Sequence, residues 1–222
     1  MNKISIIGTG YVGLVTGVGM AEFGNKVICA DIDKAKIDNL NSGILPIYEP
    51  GLEEIIKRNI NNDRLSFSSN VKESILKSDV IVIAVGTPEG QNGQADMSFV
   101  FSVAETISNN LNNYKLIVTK STVPIGSGRQ IIDIISKKVI DEKSFDYVSN
   151  PEFLREGSAL KDFLWPDRVI IGTNSNKAYE IMRNVYRPLY RNKNPIMHTS
   201  IETAEMIKYA SNSFLALKIS YI

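Results

Sequence analysis

The sequence predicts an α/β fold, a doubly wound parallel sheet with helices on both faces, and two observations lead to this prediction. Short apolar segments of strand length alternate with helical patterns along the 222 residues, with no repeat of fixed period. Polar or proline-containing segments follow several of the expected strands, which is where an open parallel sheet binds its ligands. A chain of this length can bury a sizeable core, so we expect one large domain, or one domain and part of another.

The first expected strand runs into a glycine-rich turn. Apolar residues at 4–7 are followed by Gly8-Thr9-Gly10-Tyr11-Val12-Gly13, and a helix should continue over 14–23. In this Gly-x-Gly-x-x-Gly pattern, Gly8 permits a tight turn, Gly10 lets the backbone approach a pyrophosphate, and Gly13 lets helix and strand pack closely. The amide groups at the helix start would hold the phosphates. The pattern predicts a Rossmann-type dinucleotide-binding domain.

The next strand, expected over 26–30, ends at Asp31. An acidic residue at this position is expected to bind the ribose 2′-hydroxyl of the dinucleotide. No arginine immediately follows Asp31, so the sequence favours NAD over NADP. Cys29 lies inside this strand, and we expect it to be an inert core thiol.

The remaining elements follow in order along the chain. A proline-framed loop over 45–51 and a polar loop over 91–95 interrupt them, and Asp96 is a plausible N-cap. We expect helices at 34–41, 52–58, 71–77, 97–109, 127–139, 177–186 and from 203 onward, and strands at 65–68, 80–85, 116–119, 145–148 and 168–172.

Four segments that follow strands should meet at one edge of the sheet. They are the glycine turn and the ranges Gly86–Pro88, Ser121–Pro124 and Asn150–Gly157. Because the carboxyl ends of parallel strands lie on the same side, these segments would line one ligand site.

The composition excludes several classes of partner. The net charge is +1, so nothing indicates nucleic acid or an anionic membrane surface as a partner, and no stretch approaches the ~20 apolar residues of a membrane span. Because a strand pattern starts at the amino terminus, we expect no signal peptide. One cysteine excludes an internal disulfide and suits a reducing cytoplasm, and one cysteine with one histidine makes a zinc site improbable, so we expect no metal.

Several polar residues near the expected ligand edge are candidates for chemistry, each with an ordinary structural alternative. Glu152 and Glu156 share a face if their segment is helical, but acids also favour an exposed helix start. Lys208 and Asn212 are likewise four apart on the final helix, where a lysine is commonly a surface residue. Thr122 could simply be a turn hydroxyl. His198 has no partner residues that suggest catalysis, so we interpret it as structural.

Taken together, the motifs resemble those of the UDP-glucose dehydrogenase family, within the wider group of UDP-sugar and GDP-sugar 6-dehydrogenases. The resemblance covers essentially the whole chain and implies a four-electron oxidation of UDP-glucose to UDP-glucuronate by two NAD molecules in succession. In that scheme a cysteine captures the aldehyde, and the resulting thioester is hydrolysed by water. The resemblance is carried by the glycine turn, Leu45-Pro46-Ile47-Tyr48-Glu49-Pro50-Gly51-Leu52, Gly86-Thr87-Pro88, Lys120-Ser121-Thr122-Val123-Pro124, Asn150-Pro151-Glu152-Phe153-Leu154-Arg155-Glu156-Gly157, Pro166-Asp167-Arg168 and the helix with Lys208 and Asn212.

The same resemblance implies roles for individual residues. Glu152 would be the acid/base near the reacting carbon, with Thr122 and Glu156 placing water, and Lys208 and Asn212 would stabilise oxyanions. The implied cofactor-binding residues are Gly8, Gly10, Tyr11, Val12, Gly13, Asp31, Lys36, Thr87, Ser121, Thr122 and Glu156. The implied substrate-binding residues are Glu152, Phe153, Leu154, Arg155, Lys208 and Asn212.

One feature departs from the family pattern. The nucleophilic cysteine of the family lies downstream of a long central helix, and the sequence ends at Ile222 before it. We therefore expect an amino-terminal portion, inactive by itself, with an NAD-binding domain over 1–200 and the start of the central helix over 201–222. The final helix is apolar nearly all round, which predicts a homodimer through this helix.

Two alternatives remain open at this stage. The first is a sister enzyme that acts on UDP-N-acetyl-hexosamines or GDP-mannose, although the segments around Glu152 and Asp167 look more like the UDP-glucose branch. The second is a non-catalytic NAD-binding module.

Overall fold

The computed structural model describes residues 1–138, 144–191 and 195–222, and in this part of the chain eight strands form one sheet. The spatial order is β3-β2-β1-β4-β5-β6-β7-β8. The strands are β1 (Lys3–Ile7), β2 (Lys26–Ala30), β3 (Leu65–Ser68), β4 (Val80–Ile83), β5 (Lys115–Thr119), β6 (Phe145–Ser149), β7 (Val169–Gly172) and β8 (Ile196–Thr199).

Ten α-helices connect or flank these strands within the described ranges, together with a short 3₁₀ helix at Gln91–Gly93. The helices are α1 (Tyr11–Glu22), α2 (Lys34–Asn41), α3 (Leu52–Asn61), α4 (Val71–Lys77), α5 (Ser98–Ser108), α6 (Ser127–Ser136), α7 (Ala159–Leu164), α8 (Asn176–Val185), α9 (Arg187–Arg191) and α10 (Ile201–Tyr221). The predicted fold class, a Rossmann-type doubly wound sheet followed by a long helix, is confirmed.

The two faces of the sheet bury separate cores because successive side chains of a strand point to opposite faces. In β4, Val80 and Val82 belong to the core under α1, α3, α7 and α8, whereas Ile81 and Ile83 belong to the core under α4, α5 and α6. All four side chains are almost wholly buried. A strand covered on both faces must be apolar at every position, which explains its uninterrupted run of Val and Ile.

The sheet is parallel except where β6 meets β7. These two strands pair antiparallel at Ser149 and Gly172, whereas we expected a wholly parallel sheet. An antiparallel neighbour needs no crossover to the other end of the sheet, so the connection between the two strands can stay at the carboxyl end of β6. Residues 150–168 therefore lie on the ligand side.

Some expected boundaries were wrong by a few residues. β4 ends at Ile83 rather than residue 85, since the chain then turns away from the ladder, and α3 continues to Asn61. The N-cap of α5 is Met97 rather than Asp96, although the Asp96 carboxylate still accepts a hydrogen bond from the Ser98 amide at 2.9 Å. Part of the polar loop over 91–95 forms the 3₁₀ helix, and neither α7 nor α9 was predicted. The expected end of α6 at residue 139 lies outside the described residues.

The close contact between α1 and the glycine turn predicts the effect of Gly13→Ala. A Cβ atom at Gly13 would lie 1.9 Å from the carbonyl oxygen of Gly8, a backbone atom that cannot swing aside. We expect Gly13→Ala to destabilise the fold by at least about 2 kcal/mol, which lowers the melting temperature by several degrees.

The matched control is Gly10→Ala, because no atom lies within 4 Å of a Cβ built there. Gly10→Ala should change the free energy of unfolding by no more than about 1 kcal/mol, the scale of replacing a helix N-cap residue. Its melting temperature should therefore shift less than that of Gly13→Ala. Equal melting temperatures for the two variants, measured by differential scanning calorimetry, would contradict the packing argument.

Candidate functional site

The glycine turn (residues 8–13) lies at the carboxyl end of β1. Gly8 has φ +100°, a conformation that favours glycine, and its amide donates to the Ala30 carbonyl at 2.8 Å, which ties the turn to the end of β2. α1 begins at Tyr11, and its N-cap Gly10 provides no side-chain cap. The first amides of a helix have no intrahelical partner and carry partial positive charge, so this turn can bind an anion.

The three glycines of the turn differ in the space that surrounds them. A Cβ at Gly8 or Gly13 would collide with backbone atoms, whereas the space beside Gly10 is open. The turn is thus closed on the protein side and open on the solvent side, where a side chain at position 10 would occupy the space that a pyrophosphate needs. This is the arrangement that the glycine pattern predicts.

Asp31 follows β2 and holds the glycine turn. Its Oδ2 accepts hydrogen bonds from the Thr9 amide and the Thr9 hydroxyl, both at 2.8 Å, and the Lys36 ammonium lies 3.4 Å away. Burial acts to raise the pKa of Asp31, but the hydrogen bonds from Thr9 and Asp33 and the charge of Lys36 outweigh burial and lower it. Asp31 is therefore a carboxylate at neutral pH.

The segments after β4 and β5 are joined to each other beside this turn. The Thr87 hydroxyl donates to the Thr122 carbonyl at 2.8 Å, and the Ser121 hydroxyl donates to the Val85 carbonyl at 2.6 Å. The structure therefore brings the predicted residues Thr87, Ser121 and Thr122 together at the carboxyl edge.

The loop that follows β6, residues 150–158, and α10 border a cavity of about 400 Å³ that is open to solvent. The loop supplies Glu152, Phe153, Leu154 and Arg155 to the cavity wall, and α10 supplies Lys208 and Asn212. All six residues for which substrate contacts were expected therefore line one cavity.

At one side of this cavity lies an ion pair that is nearly excluded from water. The Lys208 Nζ atom is 2.8 Å from Glu152 Oε1, and the side chains are only 8% and 11% exposed. The other carboxylate oxygen of Glu152 accepts from the Leu154 amide at 2.6 Å. Each charge therefore has a defined partner, and an ion pair of this kind fixes orientation more surely than it adds stability.

The 150–158 loop is irregular up to residue 155, so Glu152 and Glu156 do not share a helical face. Gly157, at φ +83°, reverses the chain, and α7 begins only at Ala159. Glu156 lies exposed on the loop, and the Arg155 guanidinium is bound by the Asp162 carboxylate at 2.6 Å.

Lys120 is a site residue that sequence reasoning missed. It directly follows β5, is 4% exposed, and lines the same cavity as Glu152. Its Nζ atom has only long contacts, 3.4 Å to Asn150 Oδ1 and 3.5 Å to Tyr186 Oη, and no carboxylate of the described residues lies within 4 Å of it. Burial, opposed by Glu152 and reinforced by Lys208, lowers the pKa of Lys120 to about 8. A lysine directly after a buried strand was the available signal.

Two residues that we set aside lie away from this cavity. His198 stacks on Tyr179 with ring centroids 4.2 Å apart, and its Nε2 atom is 3.0 Å from the Thr173 carbonyl. Cys29 is wholly buried, and burial raises the pKa of its thiol to about 12, so its interpretation as an inert core residue is confirmed. None of the helices in the described ranges is long and apolar enough to span a membrane.

Comparison with known proteins identifies the relatives of this chain. Residues 2–190 match the UDP-glucose/GDP-mannose dehydrogenase family, NAD binding domain. The UDP-glucose 6-dehydrogenase TuaD of Bacillus subtilis is 50% identical over 222 residues, which cover 100% of this chain and 48% of the relative.

Two solved structures are similar over nearly the whole chain. A UDP-glucose dehydrogenase from Pyrobaculum islandicum has a TM-score of 0.94 at 40% identity, covering 100% of this chain and 51% of that one. A GDP-mannose dehydrogenase from Pseudomonas aeruginosa, determined as a ternary complex, has a TM-score of 0.94 at 35% identity, covering 99% and 51%. The chain thus spans about half the length of each of these three relatives.

The buried Lys120 ammonium predicts a pH-dependent contribution to stability. Its folded pKa of about 8 lies below its ordinary value of 10.5, so the unfolded chain keeps a proton that the folded protein releases between these pH values. The free energy of unfolding of the wild type should therefore rise with pH relative to Lys120→Met, by up to about 1.4 kcal/mol per pH unit above pH 8.

Urea unfolding from pH 7 to pH 9.5 measures this difference. Lys72→Met, which removes an exposed ammonium of α4, is the control and should show the wild-type dependence. If the free energy of unfolding depended on pH in the same way for the wild type and Lys120→Met, the assignment of a buried charged lysine would be contradicted.

Proposed function

This chain belongs to the UDP-glucose/GDP-mannose dehydrogenase family, whose NAD-binding domain it carries, and we propose that it is the amino-terminal half of a UDP-glucose 6-dehydrogenase. The proposed reaction is the NAD-dependent oxidation of UDP-glucose to UDP-glucuronate. The observation that carries the proposal is the Glu152–Lys208 pair in a cavity on the same sheet edge as the glycine turn.

The residues at the carboxyl edge fit NAD. The first amides of α1 would hold the pyrophosphate, and Asp31 would bind the adenosine ribose, with Lys36 beside it. Thr87, Ser121 and Thr122 would line the path towards the cavity. When bound, NAD supplies the acceptor for the hydride that leaves the substrate carbon.

The cavity residues have separate roles in the proposed chemistry. Oxidation of a primary alcohol removes a hydride from carbon and a proton from oxygen, and the Glu152 carboxylate would take that proton. The ammonium of Lys208 and the amide of Asn212 would stabilise negative charge on the substrate oxygen. The resulting aldehyde would add a thiol to give a thiohemiacetal, which would lose a second hydride to a second NAD and a proton to solvent and so become a thioester. Water placed by Thr122 and Glu156 would then hydrolyse this thioester to the carboxylate and the free thiol.

The thiol that forms this thioester is not Cys29, which is buried in β2. We propose that it lies in the half of the enzyme that this chain does not span. By the same proposal, residues 1–200 form the NAD-binding domain and residues 201–222 begin a central connecting helix, in a cytoplasmic enzyme.

A sister activity is the second candidate. The GDP-mannose dehydrogenase structure is as similar in fold as the UDP-glucose dehydrogenase, so the fold does not favour one sugar over the other. Activity of the whole protein with UDP-glucose, and none with GDP-mannose or UDP-N-acetyl-hexosamines, would support the first candidate.

The NAD site predicts the effect of substitutions at Gly10 and Asp31. Gly10→Ala should weaken NAD binding at least about tenfold, because the added methyl group occupies the space for the pyrophosphate. Asp31→Ala should weaken it by about 1–3 kcal/mol, the scale of a lost charged hydrogen bond. NADP should bind more weakly than NAD, since Asp31 repels a 2′-phosphate.

Isothermal titration calorimetry measures these affinities. Asp38→Ala removes an exposed carboxylate of α2 and is the matched control, for which we expect the wild-type value. Equal affinity for NAD and NADP in the wild type would overturn the role of Asp31.

The exposed end of α10 predicts self-association. Phe214 is 64% exposed and Leu217 is 63% exposed, and further large apolar side chains of the same helix are also exposed. We propose a homodimer through this helix, because burial of each such side chain contributes about 1.5–3 kcal/mol. Light scattering should detect a dimer at micromolar concentration.

The double variant Phe214→Asp with Leu217→Asp should shift this dimer to a monomer. Ile32→Asp, which replaces a side chain outside α10 that is 85% exposed, serves as the control and should remain dimeric. A wild-type monomer at high concentration, with the helix ordered, would refute the dimer.

A further inference from the structure

Glu49, in the proline-framed loop, has no role in the chemistry proposed above, yet it is only 5% exposed. Its Oε1 atom accepts hydrogen bonds from the Tyr11 hydroxyl at 2.8 Å and from the Gly157 amide at 2.6 Å. Its Oε2 atom accepts from the Ala159 amide at 3.0 Å. One buried carboxylate thus takes three donors from two distant parts of the chain.

These donors belong to the two regions that form the proposed active site. Tyr11 is the first residue of α1, within the glycine turn, whereas Gly157 and Ala159 close the 150–158 loop and begin α7. Among the described residues, no lysine or arginine forms an ion pair with Glu49. The negative charge of Glu49 is therefore stabilised by these three hydrogen bonds. Hydrogen bonds to a buried carboxylate are strong, and the loss of one leaves the charge poorly satisfied.

The Tyr11 hydroxyl is held as a donor. Burial, and then the hydrogen bond and the negative charge of Glu49, raise the pKa of Tyr11 well above its ordinary value. The phenol therefore stays protonated across the physiological range.

We propose that Glu49 is a positioning residue that couples the dinucleotide site to the 150–158 loop through Tyr11. A dinucleotide on the glycine turn restrains Tyr11, and the shared carboxylate passes this restraint to the amides of Gly157 and Ala159. The loop then holds Glu152 in one place relative to the cofactor. This inference rests on the proposed function, since it requires NAD at the glycine turn, and the coupling must be equal in both directions.

Direct packing between α1 and α7 offers a competing route for the same coupling. The Phe163 ring lies against Gly19, where an added Cβ would be 2.1 Å from the ring. Tyr11→Phe removes only the hydroxyl and leaves this packing intact, so it separates the two routes. Glu49→Gln is the second variant, because an amide group cannot accept all three hydrogen bonds.

The test is amide hydrogen exchange at Gly157 and Ala159, measured by NMR with and without saturating NAD for each protein. In the wild type we expect NAD to slow exchange of both amides roughly tenfold, a usual size for coupling between sites. Both Tyr11→Phe and Glu49→Gln keep the backbone amides of the glycine turn, so NAD is added at a concentration that saturates each variant, as its own titration determines. The slowing should then fall to less than about twofold, because the shared carboxylate no longer links the two regions.

Tyr48→Phe is the matched control. Tyr48 is adjacent to Glu49 but 88% exposed, so removal of its hydroxyl should leave the NAD response unchanged. An NAD response that is the same in the wild type and Tyr11→Phe would overturn the coupling and leave the NAD assignment intact. Failure of the wild type to bind NAD would instead overturn the proposed function, and the coupling with it.

Discussion

The close approach of α1 to β1 is the constraint on which the site depends. The helix can begin directly beyond the strand only because Gly13 has no side chain facing the Gly8 carbonyl. This contact directs the amino end of α1 at the carboxyl edge and brings Tyr11 within reach of the loop that contains Glu49. Gly17 and Gly19 extend the same close packing along the helix, towards Cys29 and Phe163. A single helix thereby fixes the dinucleotide turn, part of the core and the position of α7.

The buried charges of the site are satisfied to different degrees. Glu49 has three hydrogen-bond donors and Glu152 has an ammonium and an amide, whereas Lys120 has two distant neutral acceptors. Burial of a charge is costly unless it is paired, so a sheet edge that retains all of these groups cannot have been shaped by stability alone. The least satisfied of them, Lys120, leaves excess positive charge beside Glu152. In the proposed reaction, such a field would favour an oxygen atom that becomes negative.

Most of the fold could be predicted because its signals are local. The apolar run in β4 and the glycine pattern after β1 are each recognisable from a few neighbouring residues, and β1 to β6 form the parallel sheet that these patterns predict. The direction of β7 could not be predicted, since an apolar strand has the same pattern in either direction. The site was harder to predict than the fold, because Glu152 and Lys208 are 56 residues apart and only the family resemblance related them. Glu49 and Gly157 are 108 residues apart, and no pattern in the sequence connects them.

The helix α10 is anchored near its amino end, and most of its length extends beyond that anchor. Glu205 anchors the helix by accepting from the amides of Gly126 and Gly128, each at 2.7 Å, and Ala204 packs on Gly172. At 1.5 Å per residue, Lys208 lies about 5 Å beyond this anchor and Tyr221 about 24 Å beyond it. A small tilt about Glu205 would therefore displace the exposed end roughly five times as far as it displaces Lys208. Conversely, if a contact limits the movement of the exposed end of α10, the Lys208 ammonium beside Glu152 can move only about one fifth as far as that end.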